Sequence, residues 1–130
     1  MKEAEIIIAL GSNEQAEEHL DKAKKYIQAL FPNILFSEAL WTEPIGIRSA
    51  RFLNCVGVAM TGMDYSTICQ MLKSIEHSCG DRQEDRRRNI VRMDIDLLRY
   101  GHRREHKKDW QRPYIQQLIK EIHVDISGKN

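Results

Sequence analysis

The 130 residues, 42% hydrophobic and 30% charged, are enough for one globular domain around a single core and too few for a second. A count of 20 Lys and Arg against 19 Asp and Glu leaves a formal net charge of +1. That excludes the strong global field that draws proteins to nucleic acid or anionic membrane. No apolar run approaches the roughly 18 residues of a membrane span, and the N-terminus lacks a basic region leading into an apolar stretch, so a cytoplasmic chain is expected.

Glu5-Ile6-Ile7-Ile8-Ala9-Leu10 is a β-branched run closed by Gly11-Ser12-Asn13, the pattern of a buried strand ending in a turn. Between Gln15 and Phe31, Leu20, Ala23, Tyr26, Ile27 and Leu30 recur at helical spacing opposite a charged face, and Pro32 ends the pattern. Ile34 to Thr42 and Phe52 to Thr61 predict two neighbouring strands around a loop with Pro44 and Gly46. Asp64 is the expected cap of a second helix, striped with Ile68, Met71, Leu72 and Ile75, and Gly80 its expected stop. The segment from Asp81 to Asn89 has no apolar residue and predicts a solvated, mobile loop. A strand over Ile90 to Tyr100 and a helix over Tyr114 to Val124 complete the chain. The order β-α-β-β-α-β plus a trailing helix predicts an α+β, ferredoxin-like fold with a mostly antiparallel sheet and helices packed on one face.

Cys55, Cys69 and Cys79 are odd in number and lack C-x-x-C spacing, which predicts reduced, structural thiols. Chemistry concentrates instead in Met93-Asp94-Ile95-Asp96-Leu97-Leu98. Side chains alternate along a strand, so Asp94 and Asp96 share one face, about 7 Å apart, while Ile95 and Leu97 enter the core. Paired hard oxygen donors suit Mg²⁺ with substrate phosphates. The alternative reading is a pair of exposed acids on an edge strand, neutralised by nearby arginines. Arg82, Arg86, Arg87, Arg88 and Arg92 precede the pair within eleven residues, and guanidinium forks bind phosphate oxygens. Together the two features resemble the halves of a nucleotide triphosphate clamp. Taken without the acids, the arginines read as a solvated loop neutralised by Asp81, Glu84 and Asp85. His77, His102, His106 and His123 have no metal-ligand spacing, and no Gly-rich phosphate loop or nucleophile elbow is present.

Several segments in fixed order resemble the family of 6-hydroxymethyl-7,8-dihydropterin pyrophosphokinase of folate biosynthesis, over nearly the whole chain. They are Ala9-Leu10-Gly11-Ser12-Asn13, Thr42-Glu43-Pro44-Ile45-Gly46, Phe52-Leu53-Asn54, Ile75-Glu76, Arg92-Met93-Asp94-Ile95-Asp96-Leu97-Leu98, Arg112-Pro113-Tyr114 and Leu118-Ile119-Lys120-Glu121-Ile122. The resemblance implies a ferredoxin-like monomer that moves pyrophosphate from MgATP to a reduced hydroxymethyl pterin and releases AMP. It implies that Thr42, Pro44, Ile45 and Asn54 contact the pterin, with Phe52 and Tyr114 packing on its ring. It implies that Asp94 and Asp96 hold two Mg²⁺ ions, and that Glu76, Arg82, Arg92, His106 and Arg112 surround the nucleotide. Arg82 and Arg92 then act in catalysis beside the two acids, and the Arg82 to Asn89 loop closes over the nucleotide.

The chain departs from the family pattern at Asp81, where an arginine usually follows the glycine, at Arg92, two positions ahead of Asp94, and in a compressed stretch from Tyr100 to Arg112 that retains His106. Two further readings therefore stand beside the enzyme. One is a catalytically weak or inactive relative that binds pterin or nucleotide. The other is an RNA-binding ferredoxin-like module, disfavoured by near-neutral charge and the lack of base-stacking aromatics on the strands.

Overall fold

The computed structural model describes residues 3–127, among which six strands form one sheet and five helices flank it. In chain order the elements are β1 (Ala4–Ser12), α1 (Ala16–Leu30), β2 (Leu35–Phe36), β3 (Leu40–Thr42), β4 (Phe52–Thr61), α2 (Tyr65–Ser78), α3 (Gln83–Arg87), β5 (Asp94–Tyr100), β6 (Arg103–Arg104), α4 (Lys107–Trp110) and α5 (Pro113–Ser127). The strands run β2-β4-β1-β5-β6, with β3 also on β4, and every pair is antiparallel. This is the α+β, ferredoxin-like arrangement that the order of elements predicts.

The uninterrupted apolar run of β1 makes it the central strand. Ile6 and Ile8 bury on one face of the sheet and Ile7 on the other, all fully shielded from solvent. On the first face lie α1 and α2, through Leu20, Ala23 and Ile27 and through Ile68, Leu72 and Ile75. The expectation of helices on one face is corrected here. α5 covers the second face, seating Ile115, Leu118, Ile119 and Ile122 on Ile7, Val56, Val58 and Leu98. The physical reason is that both parities of the central strands are apolar, so one layer of helices leaves half the sheet's apolar surface in water. Among the described residues, no helix is long and apolar enough to cross a membrane.

Three predicted segments are also redrawn. The strand expected over Ile34 to Thr42 breaks in two, because the Ser37 hydroxyl accepts the Val56 N–H at 3.0 Å while the Ser37 N–H donates to the Val56 carbonyl at 2.8 Å. A side-chain oxygen thus takes the role of a ladder carbonyl and interrupts the register. The strand expected from Ile90 begins only at Asp94. Its approach is held by Asn13, whose N–H donates to the Val91 carbonyl at 2.9 Å and whose Oδ1 accepts the Val91 N–H at 2.7 Å. The expected solvated loop contains the short helix α3, anchored by buried Asp85, which accepts from Arg88 at 3.0 Å and from Arg92 at 3.2 Å. Those two arginines hold the Asp85 carboxyl below its ordinary range.

Gly80 ends α2 as the sequence predicts, at φ +88°, and Asp64 caps its start by accepting the Thr67 N–H at 2.8 Å. The β1–β4 and β1–β5 registers then fix the site. Asn54 and Asp94 both pair with Gly11, and Asp96 pairs with Ala9, so amide and carboxylates lie across three adjacent strands.

Candidate active site

A glycine is required at the centre of that row. A Cβ on Gly11 would lie 2.9 Å from the Asn54 Oδ1, closer than non-bonded atoms approach. Gly11 therefore lets Asn54 fold flat against β1, where its Nδ2 donates to the Thr42 hydroxyl at 2.7 Å. Asn54 is buried, and its amide is oriented by β3 and β4 before any ligand arrives.

Two clefts open from this part of the sheet, and they share a wall. The first, about 230 Å³, is lined by Thr42, Ile45, Phe52 and Asn54 together with Asp109, Arg112 and Tyr114. The second, about 380 Å³, lies between α2 and β5 and is lined by Tyr65, Lys73, Glu76, Asp81, Arg86 and His106. Asp94 and Asp96 line both. As the strand alternation predicts, Ile95 and Leu97 enter the core beneath them.

β6 covers only Arg99 and Tyr100, so among the described residues β5 has no strand partner beyond β1 alongside the two acids. There Glu76 from α2 accepts the Ile95 N–H at 2.7 Å, which satisfies the strand and fixes the backbone between Asp94 and Asp96. Burial pushes the Glu76 carboxyl above its ordinary value. Burial first, and then the charge of Asp94, push Asp96 up to about 8. Asp109 and Glu76 add to that repulsion. With Asp94 and Asp96 on one face and Glu76 and Asp109 close by, the hard oxygen donors of the site fit a divalent cation such as Mg²⁺.

Among the described residues, Asp96, His106 and Asp109 bring one ligand atom each within 4.8 Å of one another. His106 Nε2 stands 3.7 Å from Asp96 Oδ1, although sequence spacing gave His106 no metal-ligand neighbour. Fold geometry supplies what spacing lacked, since α4 returns alongside β5.

The other residues singled out in the sequence divide clearly. Thr42, Ile45, Phe52, Asn54 and Tyr114 line the first cleft together, whereas Pro44 sits beside Ile45 without lining it. Glu76 and His106 line the second cleft. Arg112 lines the first rather than the second, 3.5 Å from Asp109. Arg82 is exposed at the start of α3, and Arg92 is tied to Asp85 with its stem against Gly80; neither lines either cleft.

The arginine that does reach the acids is Arg86, whose Nη1 and Nη2 donate to Asp94 Oδ1 at 3.3 Å each. The sequence names Arg86 only as one of five, because nothing in a run of charges tells which side the next helical turn presents. Arg86, Asp109 and Lys73 are the residues that sequence reasoning missed as individuals. The one available signal was the stripe Tyr65, Cys69, Lys73 and Glu76 on α2, at nearly four-residue spacing and distinct from the core stripe.

Comparison with curated proteins gives no match. The family model for 7,8-dihydro-6-hydroxymethylpterin-pyrophosphokinase matches residues 7–124, which include both clefts and both acids. The chain belongs to that family, and with it to the ATP-dependent pyrophosphokinases of folate biosynthesis.

Proposed function

We propose that this chain transfers the pyrophosphoryl group of MgATP to the hydroxymethyl oxygen of 6-hydroxymethyl-7,8-dihydropterin, as a cytoplasmic monomer of one domain. The observation that carries this reading is the shared wall. Asp94 and Asp96 stand between an aromatic and amide cleft on one side and a cleft of charged side chains on the other. A pterin is planar with a polar edge, which suits a slot between Phe52 and Tyr114 closed by the amide of Asn54 and the hydroxyl of Thr42. Pro44 and Ile45 would shape the rim of that slot.

The nucleotide would occupy the second cleft, with Glu76 and His106 in its wall and Lys73 and Arg86 near its phosphates. Arg82, Arg92 and Arg112 would approach it from outside that wall. In the reaction, the hydroxymethyl oxygen forms a bond to the β-phosphorus and loses its proton. The bond from the β-phosphorus to the oxygen bridging to the α-phosphorus breaks, and AMP leaves with that electron pair. Asp94 and Asp96 would hold two Mg²⁺ ions. When bound, Mg²⁺ neutralises phosphate charge and orients the reacting oxygens. The protein's own part is alignment: two rigid strands set the acceptor oxygen and the phosphate chain on either side of one carboxylate pair.

The test is AMP release from MgATP with and without the reduced pterin, compared with the Asp94→Ala, Asp96→Ala double variant. Pterin-dependent AMP that disappears in the variant supports the reading, and no AMP from the folded chain overturns it. A second reading, a relative that binds without turnover, draws on the positions of Arg82 and Arg92 outside both clefts. Pterin or nucleotide binding in titration calorimetry, with no AMP formed, would select it.

A further inference from the structure

Arg86 is the one cationic side chain hydrogen-bonded to the acids of the shared wall among the described residues, and its surroundings are built to hold it in a particular way. Its Nε donates to Asp81 Oδ2 at 2.7 Å, its Nη2 donates to the Met93 carbonyl at 2.9 Å, and its Nη2 lies 4.0 Å from Glu76 Oε2. One guanidinium thus spans Asp81, Glu76 and Asp94; burial works against its charge, but the hydrogen bond to Asp81 and the charges of the three acids outweigh it and push Arg86 above its ordinary value. Asp81 itself is one of the positions at which the chain departs from the family pattern.

The arrangement contains a conflict. A divalent cation on Asp94 would lie close to a guanidinium that already uses Asp94 Oδ1 through two N–H groups, and like charges at that separation repel strongly in a half-buried site. One of the two must yield. The same cluster holds a vacant acceptor, because Asp81 Oδ1 is buried and, among the described residues, has no hydrogen-bond partner. A buried carboxylate oxygen without a donor is costly, and a planar guanidinium can engage both oxygens of one carboxylate at once.

We propose that Arg86 is an intramolecular stand-in for the metal: it neutralises Asp94 in the unliganded protein, retracts onto both oxygens of Asp81 when a divalent cation takes Asp94, and then faces the triphosphate. Arg86 is in this sense a positioning residue for the metal and a phosphate contact for the nucleotide. The inference rests on the reading of Asp94 as a metal ligand and adds to it a competition within the protein.

The competition has a signature that a merely structural ion pair lacks, since removing Arg86 acts in opposite directions on metal and nucleotide. Mn²⁺ is the probe, titrated by electron paramagnetic resonance into the full chain without nucleotide. Arg86→Gln should bind Mn²⁺ about tenfold more tightly than the parent, the usual size of such a coupling. In the presence of Mn²⁺, the same variant should bind a non-hydrolysable ATP analogue about tenfold more weakly. Arg86→Lys, which keeps the charge against Asp81 but not the fork that reaches Asp94, should tighten Mn²⁺ binding by a smaller factor and keeps the test open if Arg86→Gln does not fold. Unchanged or weaker Mn²⁺ binding in the folded Arg86 variants, with Asp94→Asn abolishing it, would overturn the competition and leave the metal reading intact. Mn²⁺ binding that survives Asp94→Asn would overturn both.

Discussion

The two clefts that meet at Asp94 and Asp96 are made of different materials. Strand backbone sets the first: Asn54, Gly11 and Asp94 occupy one row across β4, β1 and β5, and β3 brings Thr42 to the Asn54 amide. Side-chain charge sets the second: Asp81, Glu76 and Arg86 position one another around β5, and buried Asp85 ties down the segment that carries Arg86. A ladder of backbone hydrogen bonds tolerates few alternative registers, whereas a network of ion pairs has several arrangements of similar energy. The first cleft is therefore fixed by backbone, and we propose that the second, held by ion pairs, adjusts to a ligand that brings its own charge.

Removing the common wall gives the largest effect. The Asp94→Ala, Asp96→Ala pair should lower pterin-dependent AMP release by about a thousandfold or more, the scale of lost electrostatic stabilisation at a reacting phosphate. Retention of more than a tenth of the parent rate would sink the assignment of these acids.

Next comes a change confined to the first cleft. Gly11→Ala inserts a methyl 2.9 Å from Asn54 Oδ1 and must push that amide off the Thr42 hydroxyl. Pterin affinity should fall about tenfold or more, while binding of an ATP analogue to the second cleft stays within about twofold. Equal losses for both ligands in calorimetry would show that the clefts are not separable in this way.

The adjustable side should show itself in pH. Asp96 carries an ordinary value of 3.8 raised to about 8 by burial and by Asp94. The folded metal-free chain therefore keeps a proton that the unfolded chain loses, so its stability is greatest below about 4 and declines as pH rises toward about 8. Asp96→Asn should remove that decline and raise metal-free stability near pH 8 by about 1–3 kcal/mol in urea titrations, together with loss of turnover. Divalent cations reverse the sign, because binding needs the carboxylate. Mn²⁺ affinity of the parent should rise with pH up to about 8 and release a proton, measurable as buffer-dependent binding heat. A flat pH profile in both experiments would mean that Asp96 is already ionised in the free protein.

The smallest effect tests the turn that carries Asp81 into the second cleft. Gly80 sits at φ +88° with Arg92 against it, and Gly80→Ala should cost about 1 kcal/mol through backbone strain. Because Asp81 follows directly, the same variant should also change Mn²⁺ binding slightly without altering pterin affinity.

Much of the framework around the clefts could be read from residues alone, whereas Thr42, Ile45, Phe52, Asn54 and Tyr114 of the first cleft were legible only through the family resemblance. The unbroken Ile6-Ile7-Ile8 run, the alternation at Asp94-Ile95-Asp96-Leu97 and the stops at Pro32 and Gly80 are local patterns, and local sterics and burial enforce them. Those patterns determined the order of the main elements, the antiparallel α+β class, and the shared face of the two acids.

Tertiary structure decided the rest. It laid α5 on the second face, broke the second strand at Ser37 and turned a polar stretch into α3 around Asp85. It selected Arg86, out of five arginines, for Asp94, and carried His106 and Asp109 to Asp96. The physical reason is range. A strand's facing and a helix's stop depend on neighbours within a few residues, whereas a charge finds its partner only after the chain has folded, among several acids of equal chemistry that sequence spacing cannot rank.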